Sequence, residues 1–533
     1  MAKLTDNDLV EIIRLHEQDK LNYTQISNKF GVNPSTIRRF LKRERFKSFW
    51  DDYDIKPQLS GTLEETVKST RKSGSRFVIT SAQNNTYVHD GFFKTLLKYC
   101  EYNDAELLIS TFVYDRTGFK KAEKGADKKN SDYWYDPKIS NYRCDERLEL
   151  ADGLIFCGEL NISPTEVNPI SGFHNYVGHG CSGILPHAKM KMKSLPRPKS
   201  HDPRFMYTTG AVTQRNYIQK KTGQKASIHH AFSALVVEVD NDGDWFVRQL
   251  HAEKDTGHFY DLTNYYTPND VTTDLRILAL NYGDIHAAKI DNDIEEISWK
   301  IQNSILDILK PSFQFVHDVF DAQARNHHSV KDPHFLFNMH VNNKESIRDE
   351  VLLTGSMLND MERKWCKTVV VESNHDLALE KYLKEQDYRK DPVNAIFFLE
   401  LQLAKYKSIL NNDNDFQTFK HALEITCEHM DNIRFLKTDE SFELMDIEFG
   451  SHGHNGNNGS RGSVNTFRMQ GVKTNMGHTH SPEINDGVFC AGVSGSMEMG
   501  YNVGGTSWAH AHIITYMNGK RAIIDIKNKK WKL

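Results

Sequence analysis

The sequence predicts a multi-domain α/β protein: an all-α helix-turn-helix, then a mixed α/β middle domain, then a larger α/β domain. Three observations carry this. At 533 residues the chain exceeds what one hydrophobic core supports. The first 48 residues show amphipathic helical periodicity and no strand pattern. From about residue 76, short apolar runs alternate with helical stretches, the signature of strands and helices folded together. The expected divisions are 1–48, a linker over 49–75, a mixed α/β domain over 76–270 and a C-terminal domain over 271–533.

Composition narrows the function classes. Hydrophobic residues make up 38% and charged residues 26%, which excludes wholesale disorder. No apolar run reaches the ~18 residues of a membrane span, so no membrane partner is expected. The N-terminal stretch lacks the apolar core of a signal peptide. Seven scattered cysteines without a CxxC pair argue against a disulfide framework or a thiolate zinc site and point to a reducing, cytoplasmic compartment. Lys plus Arg number 67 against 71 Asp plus Glu, a net charge of −4, so any nucleic-acid contact must come from local charge. The unusual count is 25 histidines, many of them late in the chain.

The first helix is expected over Asp6 to Glu17, where Leu9, Val10, Ile12, Ile13 and Leu15 supply the apolar face. Ile26 and Phe30 mark a second helix, Gly31 a tight turn, and Asn33-Pro34-Ser35 the start of a third. This resembles the helix-turn-helix units of resolvases and phage DNA-binding proteins. Arg38, Arg39, Lys42 and Arg43 then place positive charge where a recognition helix meets DNA. The linker is polar and contains Pro57, Gly61 and Gly74.

In the middle domain, RFVITSA, ELLISTFVY and ADGLIFCG read as strands and FFKTLLKYCEY as a helix. ALVVEVDNDGDWFVRQL reads as a hairpin around Asp242-Gly243. Between Pro186 and His229 there are ten cations, including Lys189, Lys191 and Lys193, against Asp202 alone, and this bunching suits a phosphate backbone. Beyond residue 275, helices are expected over Ile294–Leu309, Ser346–Cys366 and Asn394–Leu410.

Five segments of the last domain share one design, an apolar run that ends in Asp, Asn or His. They close on Asp284 and His286; Asp318 and Asp321; Asn374, His375 and Asp376; His452 and His454; and His478 and His480. Side chains at the C-terminal ends of strands project into a shared crevice. Carboxylates, an amide oxygen and imidazoles together suit Mn²⁺, Fe or Zn²⁺.

The ordered set Asp284-x-His286, Asp318-x-x-Asp321, Asn374-His375-Asp376, His452 and Gly477-His478-Thr479-His480 resembles the signature of calcineurin-like metallophosphoesterases, a superfamily that includes a DNA-repair nuclease. The chain departs from it at His317 and Ser373, where the family has Gly, and at Ala322, where it has Arg. The resemblance implies a β-sandwich flanked by helices and two divalent cations, with Mn²⁺ the expected metal. Asp284, His286 and His480 would hold one cation, Asn374, His452 and His478 the other, and Asp318 would bridge them. His454, two residues from His452, is the alternative ligand, and His454 and Asp321 are further candidates for contact with metal or phosphate. The resemblance also implies a bridging hydroxide that attacks phosphorus, His375 as general acid and Asp376 as the group that orients it.

The expected partner is DNA, because a basic helix-turn-helix and a cationic stretch accompany the phosphodiesterase motifs, and a homo-oligomer is compatible with the sequence. The expected activity is a metal-dependent deoxyribonuclease. The overall layout resembles phage nucleases that degrade host DNA early in infection, which would place the protein in the host cytoplasm. Two alternatives stand beside it: a small-molecule or cyclic-nucleotide phosphodiesterase or phosphatase whose helix-turn-helix mediates assembly, and a DNA-binding regulator with a vestigial metal domain.

Overall fold

Local signals at the front of the chain fix three helices, Asp6–Glu17, Tyr23–Phe30 and Pro34–Leu41. Asn22 caps the second by accepting from the backbone of Thr24 and Gln25, and Gln25 returns the bond to the Asn22 N–H. Gly31 closes that helix at φ +62°, a left-handed conformation that costs a glycine nothing. Ile12, Leu15, Ile26 and Ile37 form the small core, and Arg38 is exposed. The structure, a computed structural model, describes residues 6–17, 19, 21–41, 68–69, 74–114, 133–428 and 432–532. Lys42, Arg43, the side chain of Arg39 and most of the expected linker lie outside the described residues.

The chain divides into two units, 1–67 and 68–533. The second is a mixed α/β body built on four sheets. A six-stranded sheet runs in the order Ile433–Leu436, Lys367–Val371, Phe313–His317, Ala279–Asn281, Ala511–Thr515, Arg521–Asp525. Its first four strands are parallel and its last two antiparallel. Alternation sends Ala279, Phe315, Val369 and Val371 to one face, where they meet Ile447 and Phe449. Leu280, Val316, Val370 and Ile514 point to the other face, into a core shared with the surrounding helices. Ala511, Ile513 and Ile523 pack with residues of the eleven-stranded and four-stranded sheets. Helices therefore cover one face of the six-stranded sheet and strands cover the other.

The boundary expected at 270/271 does not separate two bodies. Strand Lys191–Leu195 pairs antiparallel with strand Glu483–Asn485, with Met192 opposite Ile484, so one eleven-stranded sheet draws strands from both sides of it. The middle region adds the expected hairpin, Ser233–Val239 with Trp245–His251, turned at Gly243 with φ +89°. It also adds the parallel pair Arg76–Gln83 and Glu106–Phe112, joined through helix Asp90–Asn103.

Two further expectations are corrected. The helix expected over Ile294–Leu309 is broken into Asn292–Glu295, a π-turn over Glu296–Lys300 and Ile305–Leu309. Ile301 is extended, and Ser304 starts a new helix by accepting from Asp307 N, which explains the break. The cationic stretch is not a uniform surface, because Lys189 and Lys191 are buried and only Lys193 of the three is exposed. Lys189 Nζ pairs with Asp486 at 2.9 Å and donates to Val167 O, so its charge is spent inside the protein.

Candidate metal centre

The strands of the six-stranded sheet, and strand Lys473–Met476 of the eleven-stranded sheet, deliver the expected ligands at their C-terminal ends. Asp284 and His286 follow Ala279–Asn281, Asp318 follows Phe313–His317, His375 follows Lys367–Val371, and His478 and His480 follow Lys473–Met476. His452 arrives on the loop after the short strand Ile447–Glu448. Four of these residues hold left-handed backbone: His286 (φ +52°), Asp318 (+47°), His478 (+71°) and His480 (+57°). Each such residue costs on the order of 1–3 kcal/mol, a strain typical of functional sites. Close packing also fixes Gly477, where a Cβ would lie 2.1 Å from Asp284 Oδ1.

The side chains converge on Asp318. His452 Nε2 lies 3.3 Å from Asp318 Oδ1, and His286 Nε2 and His480 Nε2 lie 3.6 and 4.0 Å from Oδ2. His480 Nε2 is 3.2 Å from Asp284 Oδ2 and 3.1 Å from His286 Nε2. Two candidate ligand groups share Asp318: one with Asp284 and His480, the other with His286 and His375. His478 stands beside His452 with ring centroids 5.3 Å apart. His454 is also near, 5.4 Å from the His452 ring, but His452 is buried and the closer to Asp318. Asn374 is exposed on its loop and is not drawn into the carboxylate–imidazole cluster.

The donor set fits divalent cations. Among the described residues, both carboxylate oxygens of Asp284 and of Asp318, both ring nitrogens of His452 and of His454, His478 Nε2 and His480 Nδ1 are buried without a hydrogen bond. An unsatisfied buried polar group costs about 1–3 kcal/mol, more when charged, so this concentration of unpaired lone pairs suits divalent transition-metal cations that accept both oxygen and imidazole nitrogen. Burial holds the His452 imidazole down to about 3, the neutral form a metal requires. His480 behaves differently: against the burial that would lower it, Asp284 and Asp318 raise it to about 9.

Asp321, rather than the expected Asp376, orients His375. Its Oδ1 accepts from His375 Nδ1 at 2.6 Å and from His286 Nδ1 at 2.9 Å. One carboxylate thus backs a candidate ligand and the candidate acid, although the Arg expected after it is Ala322. Burial works against a charged His375 ring, but Asp318 and the bonded Asp321 outweigh it and raise the ring to about 10. Asp376 instead ties two loops together by accepting from Phe320 N, Ser373 N and Ser373 Oγ. Burial, reinforced by Asp318, pushes its carboxyl well above the usual range. The sequence reading also missed His317, fully buried with both ring nitrogens unbonded and its ring 5.6 Å from His452. Its signal was the replacement of the glycine expected before Asp318. Trp508, packed against His480 at 4.2 Å, had no sequence signal.

No helix among the described residues is long and apolar enough to cross a membrane. No family model and no solved structure matches the chain. A curated relative, Protein A1 of Escherichia phage T5, is 42% identical over 487 residues, covering 90% of this chain and 86% of the relative.

Proposed function

We propose that this chain, which belongs to the same family as Protein A1 of Escherichia phage T5, is a metal-dependent phosphodiesterase acting on DNA, a reading that rests on the geometry of the site. One observation carries the reading. Residues from four separate segments bring buried, unbonded carboxylate oxygens and imidazole nitrogens together around Asp318, and His375 of a fifth stands beside them. Asp284, His286 and His480 would hold one divalent cation and His452 and His478 a second, with Asp318 shared. Asn374, expected in the second set, is exposed on its loop and is left out of it. Bound there, the cations supply charge neutralisation for phosphoryl oxygens and a water of lowered pKa.

The chain's own residues account for the remaining steps. Asp321 holds His375 by Nδ1, which leaves Nε2 as the proton-bearing atom for the departing sugar oxygen. His375 is only partly buried, so its outer edge is open to substrate. Asp376 fixes the loop that carries His375. The leading three-helix unit, with Arg38 exposed, supplies a DNA-contacting element.

The test is incubation of the purified protein with linear and circular DNA and with a nitrophenyl phosphodiester, with and without Mn²⁺. Cleavage of DNA in Mn²⁺ that EDTA abolishes is the expected result. Full activity in excess chelator would remove the metal centre from the mechanism. Turnover of the small diester with DNA left intact would move the substrate to a small phosphodiester.

A further inference from the structure

A loop over residues 496–507 rims the centre and is anchored to its framework. Before it, Ser494 N donates to Asp284 O at 2.7 Å, and at its start Ser496 N donates to Lys289 O at 2.7 Å. At its end Thr506 and Arg197 exchange backbone bonds of 2.9 and 2.7 Å. Asn502 braces the interior by accepting from Met499 N and donating to Met497 O. On this braced loop Tyr501 is 54% exposed. Its ring lies 5.9 Å from that of Trp508, which packs against His480. The Tyr501 hydroxyl donates to Met499 Sδ at 3.3 Å, which sets the ring's direction. Lys289 Nζ donates to Met499 O at 3.2 Å and stands 5.7 Å from the Tyr501 ring centroid. The same loop borders a groove of about 860 Å³ lined by Arg197, Lys199, Glu498 and Gly504.

A half-exposed aromatic ring, held in place, beside a cation and one residue removed from a metal ligand, is a stacking surface for a flat ligand that carries a phosphate. We propose that Tyr501 is the platform for the nucleobase adjacent to the phosphodiester at the centre, with Lys289 facing the nucleic-acid backbone. This rests on the nuclease reading and adds a base contact to it. Every base has a π face, so the contact favours unpaired nucleotides without reading sequence.

The test uses the full-length protein with His375→Ala, which suppresses cleavage, loaded with Mn²⁺ and mixed with a single-stranded oligonucleotide containing 2-aminopurine. Binding is expected to quench the probe. Adding Tyr501→Ala should abolish the quench and weaken binding about ten- to hundredfold. Tyr501→Phe and Tyr501→Trp should keep both. Equal affinity and equal quenching with Tyr501→Ala would overturn the platform while leaving the nuclease reading intact. A wild-type protein that neither binds nor cleaves DNA would overturn both.

A different surface carries a second inference. Helix Ala395–Leu410 buries Phe397, Phe398 and Leu401 but leaves Ile396, Leu399, Leu403, Tyr406 and Leu410 between 46% and 80% exposed. Their three-four-three-four spacing is that of a coiled-coil seam. Glu400, which meets Arg348 of its own chain loosely at 3.8 Å, and Lys407, seven residues on, share one flank of it with opposite charge and are both exposed. Antiparallel pairing about a two-fold axis sets Glu400 of each copy beside Lys407 of the other, so the face is self-complementary.

We infer that this face pairs with the same face of a second copy of the chain. Light scattering after size exclusion should give a dimer for the full chain and a monomer for Leu403→Glu. Glu400→Lys should weaken the dimer, and Glu400→Lys with Lys407→Glu should restore it. A monomer at the highest soluble concentration, or a dimer indifferent to Leu403→Glu, would overturn the pairing.

Discussion

Asp321 holds two imidazoles, His286 and His375, to which the proposed mechanism gives different tasks, and the residue-scale predictions follow from that division. A general acid matters where charge builds on a poor leaving group and little where the leaving group is good. His375→Ala should therefore cost about 10²–10⁴-fold on DNA and much less on a nitrophenyl diester, with metal content unchanged. Comparable losses on both substrates would contradict the acid role. Asp321→Asn should disturb His286 as well, lowering metal affinity about 10–100-fold, the usual worth of a carboxylate behind a ligating histidine. Titration of Mn²⁺ into both variants separates the two effects. Asp318→Ala should lose both cations and nearly all turnover while the fold persists, and metal analysis checks it. The convergence of Asp284, His286, Asp318, His452, His478 and His480 was legible in the sequence because each follows an apolar run that ends at the crevice. The bond from Asp321 to His375 was not legible. It spans 54 residues and depends on left-handed turns at Asp318 and Ala322 that no local pattern announces.

At the scale of elements, helix Ile347–Met361 sends Glu350 under the Asp321 loop, where it accepts from Gln323 N at 3.0 and 2.8 Å. Burial, with Asp321 adding to it, raises this carboxyl to about 8. The folded protein then keeps a proton that the unfolded chain has lost. Stability should fall as pH rises from about 4.5 to about 8 and level off above. The slope from this one group is at most about 1.4 kcal/mol per pH unit. Urea unfolding in chelator across that window should show Glu350→Gln losing less stability than the wild type, and identical slopes would dismiss the effect. The strands that lead to the site, Ala279–Asn281, Phe313–His317, Lys367–Val371 and Lys473–Met476, were readable as short apolar runs, whereas Ile433–Leu436, Ala511–Thr515 and Arg521–Asp525 of the same framework were not read. The helix over 294–309 was misread because its apolar periodicity continues through a break. Ser304 followed by Asp307 is the capping signal that should have divided it.

The whole molecule couples a small helical unit to a body whose sheets ignore the expected domain boundary. Residues 1–48 carry ten cations against six anions, and their removal should weaken DNA binding while sparing turnover of a small diester. The loss should shrink as salt rises, because counterion release dominates such contacts. An unchanged affinity and salt slope would assign the unit to assembly instead. Truncation to residues 271–533 should give no soluble enzyme, judged by expression and size exclusion. It strips strand Glu483–Asn485 of its partner Lys191–Leu195 and leaves Asp486 without Lys189. The helix-turn-helix and the site motifs could be read residue by residue, but this pairing joins positions nearly three hundred residues apart and has no local signature. It also governs how such a gene can change. A genetic exchange joining two diverged relatives near codon 270 would bring together strand edges that had never been selected to match. Joints near codon 67 would pass whole units intact, so variation in the leading helical unit can be inherited as a cassette while the two halves of the body must descend together.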